Sequence, residues 1–489
     1  MPHTSAASVT SLTAHGDSFR STNGRKLPQP LVDSLSKPES RGGWVMTKSA
    51  TIRRSIISLA IPTFGQLIAE PAFILIDTAV VGHVSDASLA GLSIGSTIIL
   101  TTVGLCVFLA YNTTSQVAGL IGAGKKREGI EAGVDGMWLA LIIGVVVSLL
   151  LFFFGGELCA LMGARGQVLV QAELYLQAIV FGLPGMLLVY AANGIFRGLQ
   201  KVRITLIAAV TGAVVNTVLE ILFVVVFRWG IIGSGTATLI AQWFMGIMLT
   251  VPALIWARKY GASWKPRVEG IVSSAGDGFP LFIRTLALRA SMVMTVVLAA
   301  NMGERVLASY QAVNSTWNFA LNMLDAIGIA GQALVATSIG ARKRDEARRM
   351  VKEVSRAGFL AGIAIGIGMI LLGLVAAPLF SPTPAIQMLI TTGMIVQAIF
   401  LPLSGWMWAL DGILIGAEDY RFLAYSCTLT ALVYMLTLWG AARMQWPDDF
   451  WRITVLWSLI SVVFIGVRAL CNGLRVRGDT WIDQAIAKV

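Results

Sequence analysis

Four side chains in the first part of the sequence have the makings of an ion site. Asp77 lies in an apolar run over roughly 55–81, and Asn216 and Glu220 lie in a run over roughly 204–227. Thr238 stands near the start of the next run. Asn216 and Glu220 are four residues apart, so on a helix they share a face. Glu70 precedes Asp77 by seven residues, about two turns, which puts both carboxylates on one face. A charge inside a bilayer costs roughly 2.5–3.5 kcal/mol on insertion scales, so each needs a reason. Carboxylate, amide and hydroxyl oxygens together suit a hard cation such as sodium. A desolvated carboxylate equally suits a carried proton. The plainer alternative is that Asn216 and Thr238 only join helices, and that a kink at Pro71 admits water to Glu70.

The second part carries a different polar set. Arg284 and Arg289 fall in the seventh apolar run, Asp325 in the eighth and Asp411 in the tenth. An Arg284–Asp325 ion pair would satisfy both charges, whether its role is structural or in transport. Residues 119–126 nearly spell a phosphate-binding loop, but Lys126 stands where Ser or Thr should bind magnesium, and an apolar run precedes it rather than a strand. Asn112 and Asn314 match a glycosylation pattern inside apolar runs. The four cysteines have no metal-motif spacing and read as packing residues. With three histidines and no nucleotide motif, neither an ATP-driven pump nor an acid–base enzyme finds support, and no cofactor is expected.

These residues must be positioned by membrane helices. Of 489 residues 56% are hydrophobic and 13% charged, against about 25% charged in a soluble domain. Runs of 18 or more apolar residues read as transmembrane helices. Twelve can be drawn, roughly over 55–81, 88–121, 133–155, 170–197, 204–227, 231–257, 277–300, 306–339, 355–380, 387–416, 422–442 and 453–474. The net charge of +11 reflects Lys and Arg crowded on the amino-terminal tail and every second loop, Arg197 and Arg468 counted among them. The opposite loops hold Arg165, Arg228, Arg305, Arg443 and Arg452. That asymmetry predicts both termini in the cytoplasm, and the basic balance then reflects a bilayer partner rather than nucleic acid.

The chain also repeats. At an offset of 218 residues Pro62 meets Pro280, Gly122 meets Gly340, Lys125 meets Lys343, Pro184 meets Pro402, Gly198 meets Gly416 and Arg203 meets Arg421. Six spans per unit is an even number, so both units insert alike, the parallel-repeat plan of some secondary transporters. The expected organisation is a disordered cytoplasmic tail over 1–50, a six-helix lobe over 51–257, a cytoplasmic linker over 258–276, a second six-helix lobe over 277–475 and a cytoplasmic tail over 476–489. At the same offset Asp77 meets Thr295, Asn216 meets Tyr434 and Glu220 meets Leu438, so an ion site would belong to the first unit alone.

Several segments resemble the multidrug and toxic compound extrusion (MATE) transporters, and their DNA-damage-inducible protein F branch in particular. They are Ile76 to His83, Phe196 to Gln200, Asn216 to Glu220, Gly235 to Thr238, and Leu410 to Gly412 with Ile415 to Ala417. The resemblance covers about 50–475. It implies an all-α membrane protein of twelve helices, two six-helix lobes around a central cleft, exporting small organic, often cationic, compounds against sodium or proton entry. It implies a cation site on Asp77, Asn216, Glu220 and Thr238. Position 220 is Glu where many members carry Asp, and Arg284 and Arg289 stand where another branch has an acid. The expectation is a monomeric antiporter of the bacterial inner membrane. Its rivals are a flippase for lipid-linked precursors from the same superfamily, a channel and a membrane enzyme.

Overall fold

The computed structural model describes residues 48–488, apart from the side chains at 48, 49, 70 and 72–75. The tail expected over 1–50 therefore lies outside the described residues up to 47, and so does the Glu70 side chain. Among the described residues there is no strand. Helix α1 is Lys48–Gly82. Eleven further helices are long and apolar enough to cross a membrane. They are α2 Asp86–Gly122, α3 Lys126–Leu161, α4 Gly166–Gly198, α5 Val202–Val226, α6 Gly230–Lys259, α7 Val268–Asn301, α8 Glu304–Gly340, α9 Arg344–Val375, α10 Pro384–Gly416, α11 Tyr420–Arg443 and α12 Asp449–Arg477. The chain is a multi-pass membrane protein, with exposed Phe, Leu, Ile and Val covering its flanks.

The repeat is written in the backbone as well as in the residues. Gly124 and Arg342, mates at the 218 offset, both take positive φ, and so do the mates Gln200 and Glu418. Each pair ends a helix in the left-handed turn that frees the chain to reverse. Packing repeats too: Gly144 lies against Pro184, and its mate Gly362 lies against Pro402. Gly358, Gly362 and Gly366, four apart, bring α9 against the α10 backbone at Gly405, Leu401 and Ala398. Small residues at that spacing are how helices approach closely where lipid offers no hydrophobic drive.

Two boundaries differ from the sequence reading. Helix α7 begins at Val268, so much of the segment expected as linker over 258–276 is helical. Arg267, just before it, is held to α3 by Nη1 to Glu131 Oε2 at 2.8 Å and Nη2 to Asp135 Oδ2 at 2.6 Å. The tail expected over 476–489 forms a short helix, α13, Thr480–Lys488. Trp481 and Ile482 are buried, and Arg344 reaches Asp483 at 3.2 Å.

Helices α1 and α7 each begin against the other half. Arg53 of α1 donates to Glu353 of α9 at 2.7 Å, and Phe64 meets Phe319 of α8 edge-on at 6.0 Å. Past Pro62, Gly65 faces Leu206 of α5 and Gln66 accepts from Arg197 of α4 at 3.0 Å. In α7 the Ser274 carbonyl accepts from Asn112 of α2 at 3.1 Å, and Asp277 accepts from Gln116 at 3.2 Å. Past Pro280, Arg284 pairs with Asp411 of α10 and Thr295 bonds Tyr434 of α11 at 2.8 Å.

The two halves meet closely where α2 crosses α8. Gly122 lies against the Thr337 carbonyl and Gly340 against the Gly119 carbonyl. Those contacts are exchanged by the 218 offset, as a two-fold relation requires. Ser115 donates to the Ile415 carbonyl at 2.8 Å, and Gln332 donates to the Tyr111 carbonyl at 2.6 Å. This seam closes the end of the bundle that carries the basic loops after Gly122 and Gly340. Above it lies a cleft between the halves.

Candidate functional site

Three helices of the first half bring the ion-site residues together. Asn216 Nδ2 donates to Thr238 Oγ1 at 3.1 Å, and Thr238 Oγ1 reaches Asp77 Oδ2 at 3.5 Å. Asp77 is 5% exposed and Glu220 is 0% exposed. Glu220 lies close enough to Asp77 to feel its charge, and the Ser234 hydroxyl is its polar neighbour. Asp77 Oδ1, Asn216 Oδ1 and both Glu220 oxygens have no donor in good hydrogen-bond geometry among the described residues. Buried polar atoms are seldom left so. The cluster therefore offers several convergent oxygens and two carboxylates with no cationic side chain paired to either.

The local sequence explains the arrangement. Glu220 ends the regular part of α5, and one π turn, Ile221–Val226, follows it. Such turns gather at functional sites because they re-aim side chains. Pro71 sits six residues before Asp77 within α1. Thr238 also lines a pocket with Tyr175, Gln66, Asn193 and Gln242. Tyr175 lies within electrostatic reach of both Asp77 and Glu220. Thr238 and Tyr175 thus join the acids to the pocket wall. Sequence reasoning missed Tyr175, Ser234 and Asn193, because polar residues that hydrogen-bond modestly leave no mark in hydropathy.

The equivalent positions in the second half are neutral and closed. Thr295 and Tyr434, mates of Asp77 and Asn216, bond each other at 2.8 Å and are both fully buried. Leu438 and Leu456, mates of Glu220 and Thr238, are buried beside them.

The second half concentrates its charge on Asp411 instead. Arg284 pairs with Asp411, not with Asp325 as the sequence suggested. Arg468 Nη2 lies 2.5 Å from Asp411 Oδ2, and Asn472 Nδ2 donates to Oδ1 at 2.6 Å. Asp325 accepts from the Tyr111 hydroxyl at 3.3 Å, with Arg197 and Arg284 within electrostatic reach. Arg468 and Arg197, counted with the basic loops from sequence, are 2% and 5% exposed and belong to these buried networks. The signal was there for Arg468: it precedes Asn472 by four residues, so the two share a face. At the 218 offset the pair Arg284 and Asp411 becomes Gln66 and Asn193, two uncharged amides on the first half's pocket wall. Among the described residues no group of three His, Cys, Asp or Glu could hold a metal ion.

A family model, MatE, matches residues 62–222 and 280–439, two stretches whose starts are 218 residues apart. The chain is similar to Protein DETOXIFICATION 43 of Arabidopsis thaliana, 28% identical over 86% of this chain and 91% of that protein. It is similar also to DNA damage-inducible protein F of Escherichia coli (strain K12), 25% identical over 85% and 90%. Among solved structures, the Vibrio cholerae MATE transporter VcmN in its bent form superposes with a TM-score of 0.80 at 18% identity, covering 90% of this chain and 99% of that one. A MOP superfamily transporter from Pyrococcus furiosus, described as having a binding pocket of reverse polarity, gives 0.79 at 19%, covering 90% and 99%.

Proposed function

The chain belongs to the MatE family of membrane transporters, and on that premise we propose that it is a secondary antiporter exporting small organic compounds in exchange for an inward cation. The observation that carries this reading is the buried cluster of Asp77, Asn216, Glu220 and Thr238, whose acids pair with no basic side chain among the described residues, set against the neutral Thr295–Tyr434 pair at the same place in the other half. Two carboxylates that feel each other's charge in a low-dielectric site cannot both ionise cheaply, so the pair is suited to carry one proton. Sodium is the competing cargo, because Asn216 Oδ1 and Thr238 Oγ1 add neutral oxygens to the carboxylates.

The ion and the exported compound favour opposite-facing states, and that difference in binding drives exchange. A membrane potential adds about 2.3 kcal/mol per charge per 100 mV, enough for one inward charge to move an organic compound outward. The basic loops support an orientation with both termini in the cytoplasm. We take the exporter to act as a monomer on small organic substrates in the bilayer, with no cofactor and no nucleic-acid partner. The test is uptake in proteoliposomes under an imposed pH gradient and then under a sodium gradient. Wild type should respond to one of them, and Asp77→Asn and Glu220→Gln to neither. Retained gradient-driven uptake in both variants would overturn the reading.

A further inference from the structure

We propose that the cleft between the halves binds an organic anion, with Arg289 as its docking cation. The proposal deepens the exporter reading by naming a substrate class and rests on it only in taking the cleft as the substrate path. The cleft is lined by three guanidinium groups, Arg284, Arg289 and Arg468, and two carboxylates, Asp325 and Asp411. Arg284 and Arg468 are both spent on Asp411. Asp325 is held by the Tyr111 hydroxyl and sits near Arg197. No ion pair or hydrogen bond joins Arg289 to any described residue, and its side chain is exposed in the cleft. Arg289 is the cation in this set with no carboxylate of its own.

That charge is deep. Arg289 lies twelve residues before the end of α7 at Asn301, about 18 Å of helix, beyond the reach of a side chain that snorkels to the interface. A lone charge at such depth is costly and marks a functional site by default. Its natural complement is a carboxylate, sulfonate or phosphate, which a guanidinium holds through two parallel hydrogen bonds. Asn322, also on the cleft wall, makes no hydrogen bond to a described residue and supplies a further donor. Trp317 and Trp408 line the same space and suit an aromatic body. Arg289 also reaches the first half: a Cβ on Gly104 would stand 2.6 Å from its Nη2. An anion seated there touches both halves, as a transported substrate must.

The same chemistry could arrive on a soluble molecule or on a lipid headgroup. The experiment is equilibrium binding of 1-pyrenebutyrate to the full-length protein in phosphatidylcholine nanodiscs, read by quenching of tryptophan fluorescence. A pyrenyl trimethylammonium serves as the matched cation. Arg289→Gln should weaken pyrenebutyrate binding by about tenfold to a hundredfold, as expected for losing a hydrogen bond to a charged group. Arg289→Lys should recover part of it and report on folding. Adding phosphatidylglycerol to the discs separates the sources. Competition in wild type that is lost in Arg289→Gln makes a lipid headgroup the occupant; no competition makes it a soluble anion. The proposal is overturned if the cation binds more tightly than the anion, or if Arg289→Gln leaves the anion's Kd within about twofold. With no gradient in the assay, a failure of the exchange reading would leave this result standing.

Discussion

Replacing Gly122 and Gly340 by alanine should open the end of the bundle that the structure shows closed. Each new methyl group would be driven into a carbonyl across the seam, that of Thr337 for Gly122 and that of Gly119 for Gly340. The obstructing atoms are backbone, so α2 and α8 must separate. Overpacking of this kind costs about 1–3 kcal/mol. The gain in helix propensity from glycine to alanine is common to both facing states and cancels. The strain exists only while the halves touch. At 1.4 kcal/mol per factor of ten, one substitution should shift the closed-to-open ratio by about 5- to 150-fold, and the pair by more. Spin labels on Lys125→Cys and Lys343→Cys, mates on the loops beside the seam, would report the distance by double electron–electron resonance. The double alanine variant should gain a longer-distance population and lose coupled transport. Gly440→Ala, with nothing within 4 Å of the added carbon, is the control. A wild-type distance distribution in the double variant would show that this seam does not govern closure.

Four further outcomes are expected. Asp411→Asn should lower stability by about 3–5 kcal/mol, because Arg284 and Arg468 lose their shared buried counter-charge; thermal unfolding in detergent measures this, and a wild-type midpoint would refute it. Arg342→Gly should raise stability by about 1 kcal/mol, since Arg342 holds a left-handed φ of 56° where its mate is glycine; a lower midpoint would contradict the backbone argument. Cysteines placed in the loops after Gly122 and Gly340 should escape impermeant thiol reagents applied outside intact cells, and strong labelling would reverse the orientation. Substrate efflux at a fixed pH gradient should persist without sodium; if it stops and sodium restores it, the cluster at Asp77 is a sodium cage.

The helices and the repeat were legible because they follow from hydropathy, glycine and proline, all local properties. The residues of the candidate site were legible for a related reason: carboxylates such as Asp77 and Glu220 are conspicuous in an apolar run. Partner choice was not legible. Nothing in the spacing says that Arg284 meets Asp411 and not Asp325, since both acids are more than forty residues away and the choice is made by helix packing. Arg197 and Arg468 were hidden by position: each stands near the end of its apolar run, where a few residues decide between loop and core. Helix ends past the membrane, at Val268 and Thr480, carry too many polar residues for hydropathy to register.

The exchange of first turns between the halves has a mechanical consequence. Helix α1 starts on the second half and finishes on the first, and α7 starts on the first half and runs on into the second, with Pro62 and Pro280 beside the stretches where each helix touches both halves. When the halves rock, neither helix can travel as a rigid rod with one body. Each must flex, and the prolines, which delete a backbone hydrogen bond in mid-helix, mark where the rod is softest. Stiffening one alone would make the motion lopsided, so the compliance of the machine belongs to the matched pair and not to either helix.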